Sequence, residues 1–106
     1  MTVTTVEQLK ARLDTGEKIN LLDVREDEER KAFHIGGIHQ KLGQLQLFDF
    51  GEELETLKDE EIIVYCRSGK RSVTAATIME MAGFTNLVNL EGGMLGWIAK
   101  YGDKPL

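Results

Sequence analysis

The chain has 106 residues, a formal net charge of -5, 42% hydrophobic residues and 29% charged ones. That length supports a single domain over residues 1–106 with one core, and the composition is ordinary for a soluble globular protein. The acidic balance excludes a nucleic-acid surface, which needs a basic face, and the apolar runs are too short to span a bilayer.

The start, Met1-Thr2-Val3-Thr4-Thr5, lacks the basic residues and apolar stretch of a secretory signal. Cys66 is the only cysteine, so no intrachain disulfide forms, and an unpaired thiol persists best in a reducing compartment. Both features predict a cytoplasmic protein. Thr4-x-x-Glu7 and Thr5-x-x-Gln8 each fit a capping box. Val6, Leu9 and Leu13 follow at helical spacing until Gly16 ends the helix. Residues 19–24 read as a short strand, with Leu21 and Leu22 adjacent as in a strand buried on both faces. Residues 26–33 form a charged stretch of one or two helical turns on the surface, and 35–39 a brief strand interrupted by Gly36 and Gly37.

Leu42, Leu45 and Phe48 suit a helix that Gly43 and Gly51 weaken, and a second helix from Gly51 to Leu57 turns Leu54 and Leu57 inward. Residues 62–65 are the clearest strand and 72–81 the clearest helix; Ala75, Ala76, Met79 and Ala82 let that helix approach a sheet, and Gly83 stops it. A strand over 87–90 and a helix over 94–101 close the chain, with Met94 and Trp97 assigned to the core. Short apolar strands alternating with helices predict a three-layer α/β fold, its mainly parallel central sheet of about five short strands flanked by helices.

Four apolar residues, Ile62-Ile63-Val64-Tyr65, carry Cys66 to a strand end, and Arg67-Ser68-Gly69-Lys70-Arg71 wrap around it before the helix near Ser72. Parallel sheets bind ligands at the carboxyl ends of their strands. Amides at the helix start have no intrahelical partners and add positive potential, so they form a cradle for an anion. A free thiol has a pKa of about 8.5, which helix termini and cations lower to roughly 3.5–7.5. Cys66 is therefore the expected catalytic nucleophile, a thiolate kept ionised by the helix terminus and three cations. Arg67, Ser68, Gly69, Lys70, Arg71 and Ser72 are the expected substrate-binding loop.

Rival chemistries fail on spacing. A nucleotide P-loop needs a glycine where Val64 stands and Ser or Thr where Arg71 stands. His34 and His39 lie in no protease context and read as turn or surface residues, and one cysteine with two histidines makes no structural zinc site. Neither a metal nor a cofactor is expected. Cysteine-dependent phosphatases close their loop as Cys-x5-Arg. Here Arg71 follows after only four residues and Ser72 holds the arginine's place, so the smaller ring suits one extra sulfur atom better than a phosphoryl group.

These residues resemble the rhodanese family of sulfurtransferases, as a single-domain member. Tyr65-Cys66-Arg67-Ser68-Gly69-Lys70-Arg71-Ser72 is similar to the family's six-residue active-site loop beginning at the cysteine. Leu22-Asp23-Val24-Arg25-Glu26 resembles the opening motif, Glu91-Gly92-Gly93-Met94 through Trp97 the closing one, and Ala82-Gly83-Phe84 and His34-Ile35-x-Gly37 also match. The chain departs from the pattern at Arg30, Phe33, Gly36, Gln40 and Lys41, on the flank of the domain.

The resemblance implies a transfer in two steps. The Cys66 thiolate takes the outer sulfur of thiosulfate or another small anionic sulfane donor, and an external thiol, a partner protein or, in the assay, cyanide removes it from the resulting persulfide. Asp23 and Arg25 are expected to support the loop, Asp23 through a pair with Arg67 and Arg25 through a surface pair with Glu29. Three readings stand beside this one. They are a cysteine-dependent phosphatase or arsenate reductase on the same fold, a non-catalytic protein-binding module, and a relay carrier handing persulfide to another enzyme. Residues 45–50, Leu-Gln-Leu-Phe-Asp-Phe, hint at a partner surface.

Overall fold

The computed structural model describes residues 1–104. Five strands form one sheet in the order β1-β5-β4-β2-β3: β1 is Thr2–Thr4, β2 Leu21–Asp23, β3 Ile38–His39, β4 Glu61–Tyr65 and β5 Asn86–Leu90. Every pairing is parallel. The helices are α1 (Val6–Asp14), α2 (Asp27–Ala32), α3 (Leu42–Gln46), α4 (Gly51–Glu55), α5 (Lys70–Met81) and α6 (Gly93–Tyr101). The three-layer α/β reading holds, and no helix is long and apolar enough to cross a membrane among the described residues.

Strand alternation sorts the core into two layers. Ile62, Val64 and Cys66 face one side, where they pack with Leu22, Val24 and the α5 residues Ala75, Ala76 and Met79. Ile63 and Tyr65 face the other, against Leu9 of α1 and Met94 and Trp97 of α6. The parity of β4 thus directs the thiol toward α5. Ala75 and Ala76 are fully buried, so α5 lies close to the sheet and its N-terminus sits directly after the cysteine loop.

Local chemistry explains most boundaries. Thr5 and Gln8 form the capping box of α1, the Thr5 side chain accepting from the Gln8 amide and the Gln8 side chain from the Thr5 amide. The strand Thr2–Thr4 was not expected. It pairs with β5 and ends on a hydrogen bond from the Glu91 amide to the Thr4 carbonyl. The predicted strand over 35–39 shrinks to two residues, and α5 starts at Lys70, two residues before Ser72. The 45–50 segment divides: Leu45 and Phe50 are buried, whereas Leu47 is 81% exposed and Phe48 54%.

Candidate active site

Cys66 follows the last residue of β4, and the chain curls back over it through Arg67, Ser68 and Gly69 before α5 begins. Gly69 sits at φ +97, the left-handed region that glycine reaches without strain. That turn aims its amide inward, 3.1 Å from Cys66 Sγ. The Ser72 hydroxyl lies 3.4 Å from the same sulfur. Burial pushes the thiol up, but the hydrogen bonds gathered at the sulfur, the amides of Ser72, Gly69 and Ser68 among them, outweigh it, and Cys66 rests below its ordinary value. Dipoles hold the charge. The sequence reading shares this role between the helix terminus and three cations.

Cys66 itself is fully buried and Ser72 with it. Apolar side chains form the floor beneath the sulfur and loop amides the polar roof. The roof is fastened from α6: the Met94 and Leu95 amides donate to the carbonyls of Cys66 and Arg67, both at 2.9 Å. A Cβ on Gly93 would stand 2.5 Å from the Cys66 carbonyl oxygen and 2.7 Å from that of Arg67. Gly93 is therefore part of the loop's foundation, which its sequence resemblance alone did not explain.

The cations divide into two sets. Arg71 makes a two-pronged ion pair with Glu29 of α2, both bonds 2.7 Å. The Arg71 guanidinium holds the Glu29 carboxyl down at about 2, against some opposition from burial. Glu29 is a site residue that sequence reasoning missed as such. Arg67 and Lys70 have no ion-pair partner among the described residues and both are exposed.

Two expected pairings are corrected. Asp23 does not pair with Arg67, and Arg25 does not pair with Glu29. Arg25 folds back on Asp23, its Nε 2.9 Å from Oδ1 and its Nη2 3.0 Å from Oδ2, and donates onward to the Phe33 carbonyl at 2.7 Å. Asp23 is fully buried at the end of an apolar strand, where an uncompensated charge is costly, so the cation two residues on turns inward to meet it. Arg30 adds a longer contact to Asp23 at 3.4 Å. This buried knot anchors both ends of α2, the helix that presents Glu29 to Arg71.

The histidines serve turns. His34 Nδ1 accepts from the Gly36 amide, and His39 Nε2 donates to the Arg25 carbonyl at 2.7 Å. Neither hydrogen-bonds Cys66. Met94 and Trp97 lie in the core as expected, at 2% and 0% exposure.

A parallel three-layer domain with one cysteine cradled between its central strand and the next helix defines the class. The rhodanese-like domain family matches residues 5–100, and the chain belongs to that family. Two proteins of Bacillus subtilis (strain 168) are similar: YtwF is 41% identical over 91 residues, covering 84% of this chain and 82% of that protein. YrkF is 37% identical over 97 residues, but the chain spans only about half of it, 91% of this chain against 50% of that protein. A protein of Allochromatium vinosum named Sulfurtransferase is 33% identical over 97 residues, 91% of this chain and 86% of that one. The crystal structure of a rhodanese-like domain protein from Staphylococcus aureus superposes with a TM-score of 0.75 at 29% identity, covering 92% of this chain and 91% of that chain.

Proposed function

We propose that the protein is a sulfurtransferase that carries sulfane sulfur as a persulfide on Cys66. The observation that supports this best is the Gly69 amide aimed at one buried sulfur from 3.1 Å, with the backbone amides of Ser68 and Ser72 beside it. Such donors stabilise a thiolate before reaction and an anionic outer sulfur after it, as an oxyanion hole stabilises oxygen. The naming of the Allochromatium vinosum relative as a sulfurtransferase agrees.

The thiolate attacks the outer sulfur of thiosulfate or a similar donor; the S–S bond breaks and sulfite leaves with its electron pair. An external thiol, a partner protein or cyanide then attacks the outer sulfur, and Cys66 leaves as thiolate. Arg67 and Lys70, exposed and without an ion-pair partner among the described residues, attract the anionic donor. Arg71, held by Glu29, shapes the loop. Asp23 and Arg25 support it by fixing α2. A cytoplasmic location suits a thiol that must stay reduced.

Intact mass spectrometry after thiosulfate treatment tests the reading. It expects a gain of one sulfur, about 32 Da, that cyanide removes and that Cys66→Ser never acquires. Thiosulfate:cyanide activity retained in Cys66→Ser would end it. Rapid hydrolysis of p-nitrophenyl phosphate would move the site to phosphoryl chemistry instead.

A further inference from the structure

The Ser72 hydroxyl has one proton and two neighbours able to accept it. Its Oγ is 3.4 Å from Cys66 Sγ, and it donates to Asn89 Oδ1 in a short bond. All three groups are buried, Cys66 and Ser72 at 0% and Asn89 at 7% exposure. Asn89 stands on β5 in register with Val64 of β4, an amide inside a strand otherwise suited to apolar side chains.

The Gly69 carbonyl fixes which way that amide faces. Asn89 Nδ2 points at this oxygen from 3.5 Å; turned over, Oδ1 would confront another acceptor. With Oδ1 holding the Ser72 proton, Ser72 Oγ meets the sulfur as an acceptor, an arrangement that suits the S–H form. An ionised sulfur has no proton to give. Serving it requires the hydroxyl to rotate, which strands Asn89 Oδ1 in the interior without a donor.

We propose that Asn89 is a positioning residue that holds the Ser72 hydroxyl proton away from Cys66, leaving the sulfur more basic than the loop amides alone would make it. The benefit is chemical. A thiolate loses nucleophilicity as it loses basicity, and the best attacking thiol has a pKa near the ambient pH. A cradle of amides pulls the thiol in one direction, and Asn89 withholds one donor from it.

The charged groups around the sulfur do not substitute for this effect. Arg71 of α5 interacts with Cys66 through space but is paired with Glu29 of α2. Arg67 and Lys70 are exposed on the loop, and Asp23 and Arg25 at the end of β2 are bonded to each other. Strand β5, helix α3 and the first turn of α6 present no titratable side chain to the site.

The test is the pH dependence of iodoacetamide alkylation in wild type, Asn89→Ala, Asn89→Leu, Ser72→Ala and the double variant Ser72→Ala/Asn89→Ala. Removing the Asn89 acceptor frees the hydroxyl to turn to the sulfur. The midpoint then falls by about one pH unit, a tenfold gain in thiolate at a given pH. With Ser72 absent, the Asn89 substitution moves nothing, a coupling that a merely structural role would not produce. An unchanged or raised midpoint in both single Asn89 variants overturns the proposal, as does the same fall with Ser72 absent. Asn89→Leu keeps the side-chain volume if Asn89→Ala loosens the strand. The inference rests on Cys66 as the reacting thiol, and alkylation needs no sulfur donor. A protein that alkylates as expected but never gains sulfur from thiosulfate would therefore lose the transfer reading alone.

Discussion

Replacing Glu29 with glutamine removes the charge that holds Arg71 while preserving the side chain's shape. In the native protein the Glu29 carboxyl sits at about 2, drawn down from an ordinary 4.5 by the two hydrogen bonds from Arg71. That difference corresponds to about 3 kcal/mol favouring the folded ion pair at neutral pH. Water reaches both partners, with 27% of the Glu29 side chain and 33% of Arg71 exposed, so screening reduces the working figure to about 1–2 kcal/mol. For a domain of this size the melting temperature should drop by roughly 5–10 °C at pH 7.

The pH dependence identifies the cause. A carboxyl whose folded value lies below its unfolded one stabilises fully above the unfolded value and loses that contribution as pH falls through the folded one. The gap between wild type and Glu29→Gln should therefore be complete at pH 7, begin to close below pH 4.5 and nearly vanish near pH 2. Urea unfolding followed by Trp97 fluorescence at pH 7, 4 and 3 measures it, and 1 M salt should narrow the gap at neutral pH. A gap equally wide at pH 7 and pH 3 would mean that the ion pair is not its source. No gap at all would mean that Glu29 does not hold the loop.

Gly93→Ala forces a methyl within 2.5 Å of the Cys66 carbonyl oxygen, so it should cost about 2–4 kcal/mol in urea unfolding and return the alkylation midpoint toward that of free cysteine. Gly92→Ala, whose Cβ meets only Gly96 Cα at 3.7 Å, should cost about 1–2 kcal/mol through its positive φ alone and leave the midpoint in place; equal effects at both glycines would refute the α6 fastening. Asp23→Asn leaves Arg25, 5% exposed, without its counter-charge and should destabilise by about 3–5 kcal/mol. A loss under 1 kcal/mol would show the knot to be dispensable.

The features legible in the sequence were those fixed locally. The apolar run Ile62–Tyr65 can only be a buried strand, a glycine among cations after it marks a loop, and Thr5 with Gln8 writes its own helix start. The Thr2–Thr4 strand was invisible because it exists through pairing with β5 at the far end of the chain, and Val3 is 59% exposed, so no apolar signal marks it. Glu29 and Arg71 are 42 residues apart; in the sequence Glu29 stands four residues after Arg25 and looks like that residue's helical partner. What decides otherwise is burial. Asp23 needs a cation more urgently than exposed α2 does, it claims Arg25, and Glu29 is left free to reach across to Arg71. A carboxylate ending an apolar strand, with arginine two residues on, is the signal that could have revealed this.

The division of labour between dipoles and cations has a consequence that salt can separate. Cys66 is held below its ordinary value by hydrogen bonds within a buried cradle, and such contacts are screened little by ions in solution. Arg67 and Lys70 stand in water with no partner among the described residues, where attraction for an anionic donor fades within a Debye length of about 8 Å at physiological ionic strength. Raising sodium chloride from 0.05 to about 0.5 M should therefore raise the apparent KM for thiosulfate several-fold while leaving the alkylation midpoint where it was. Lys70→Ala should raise KM at low salt and flatten the salt dependence, with kcat little changed because the amides that hold the sulfur are untouched. If salt moved the midpoint as much as it moved KM, the thiolate would be held by the exposed cations after all, and the buried amides would be shaping the loop without charging its sulfur.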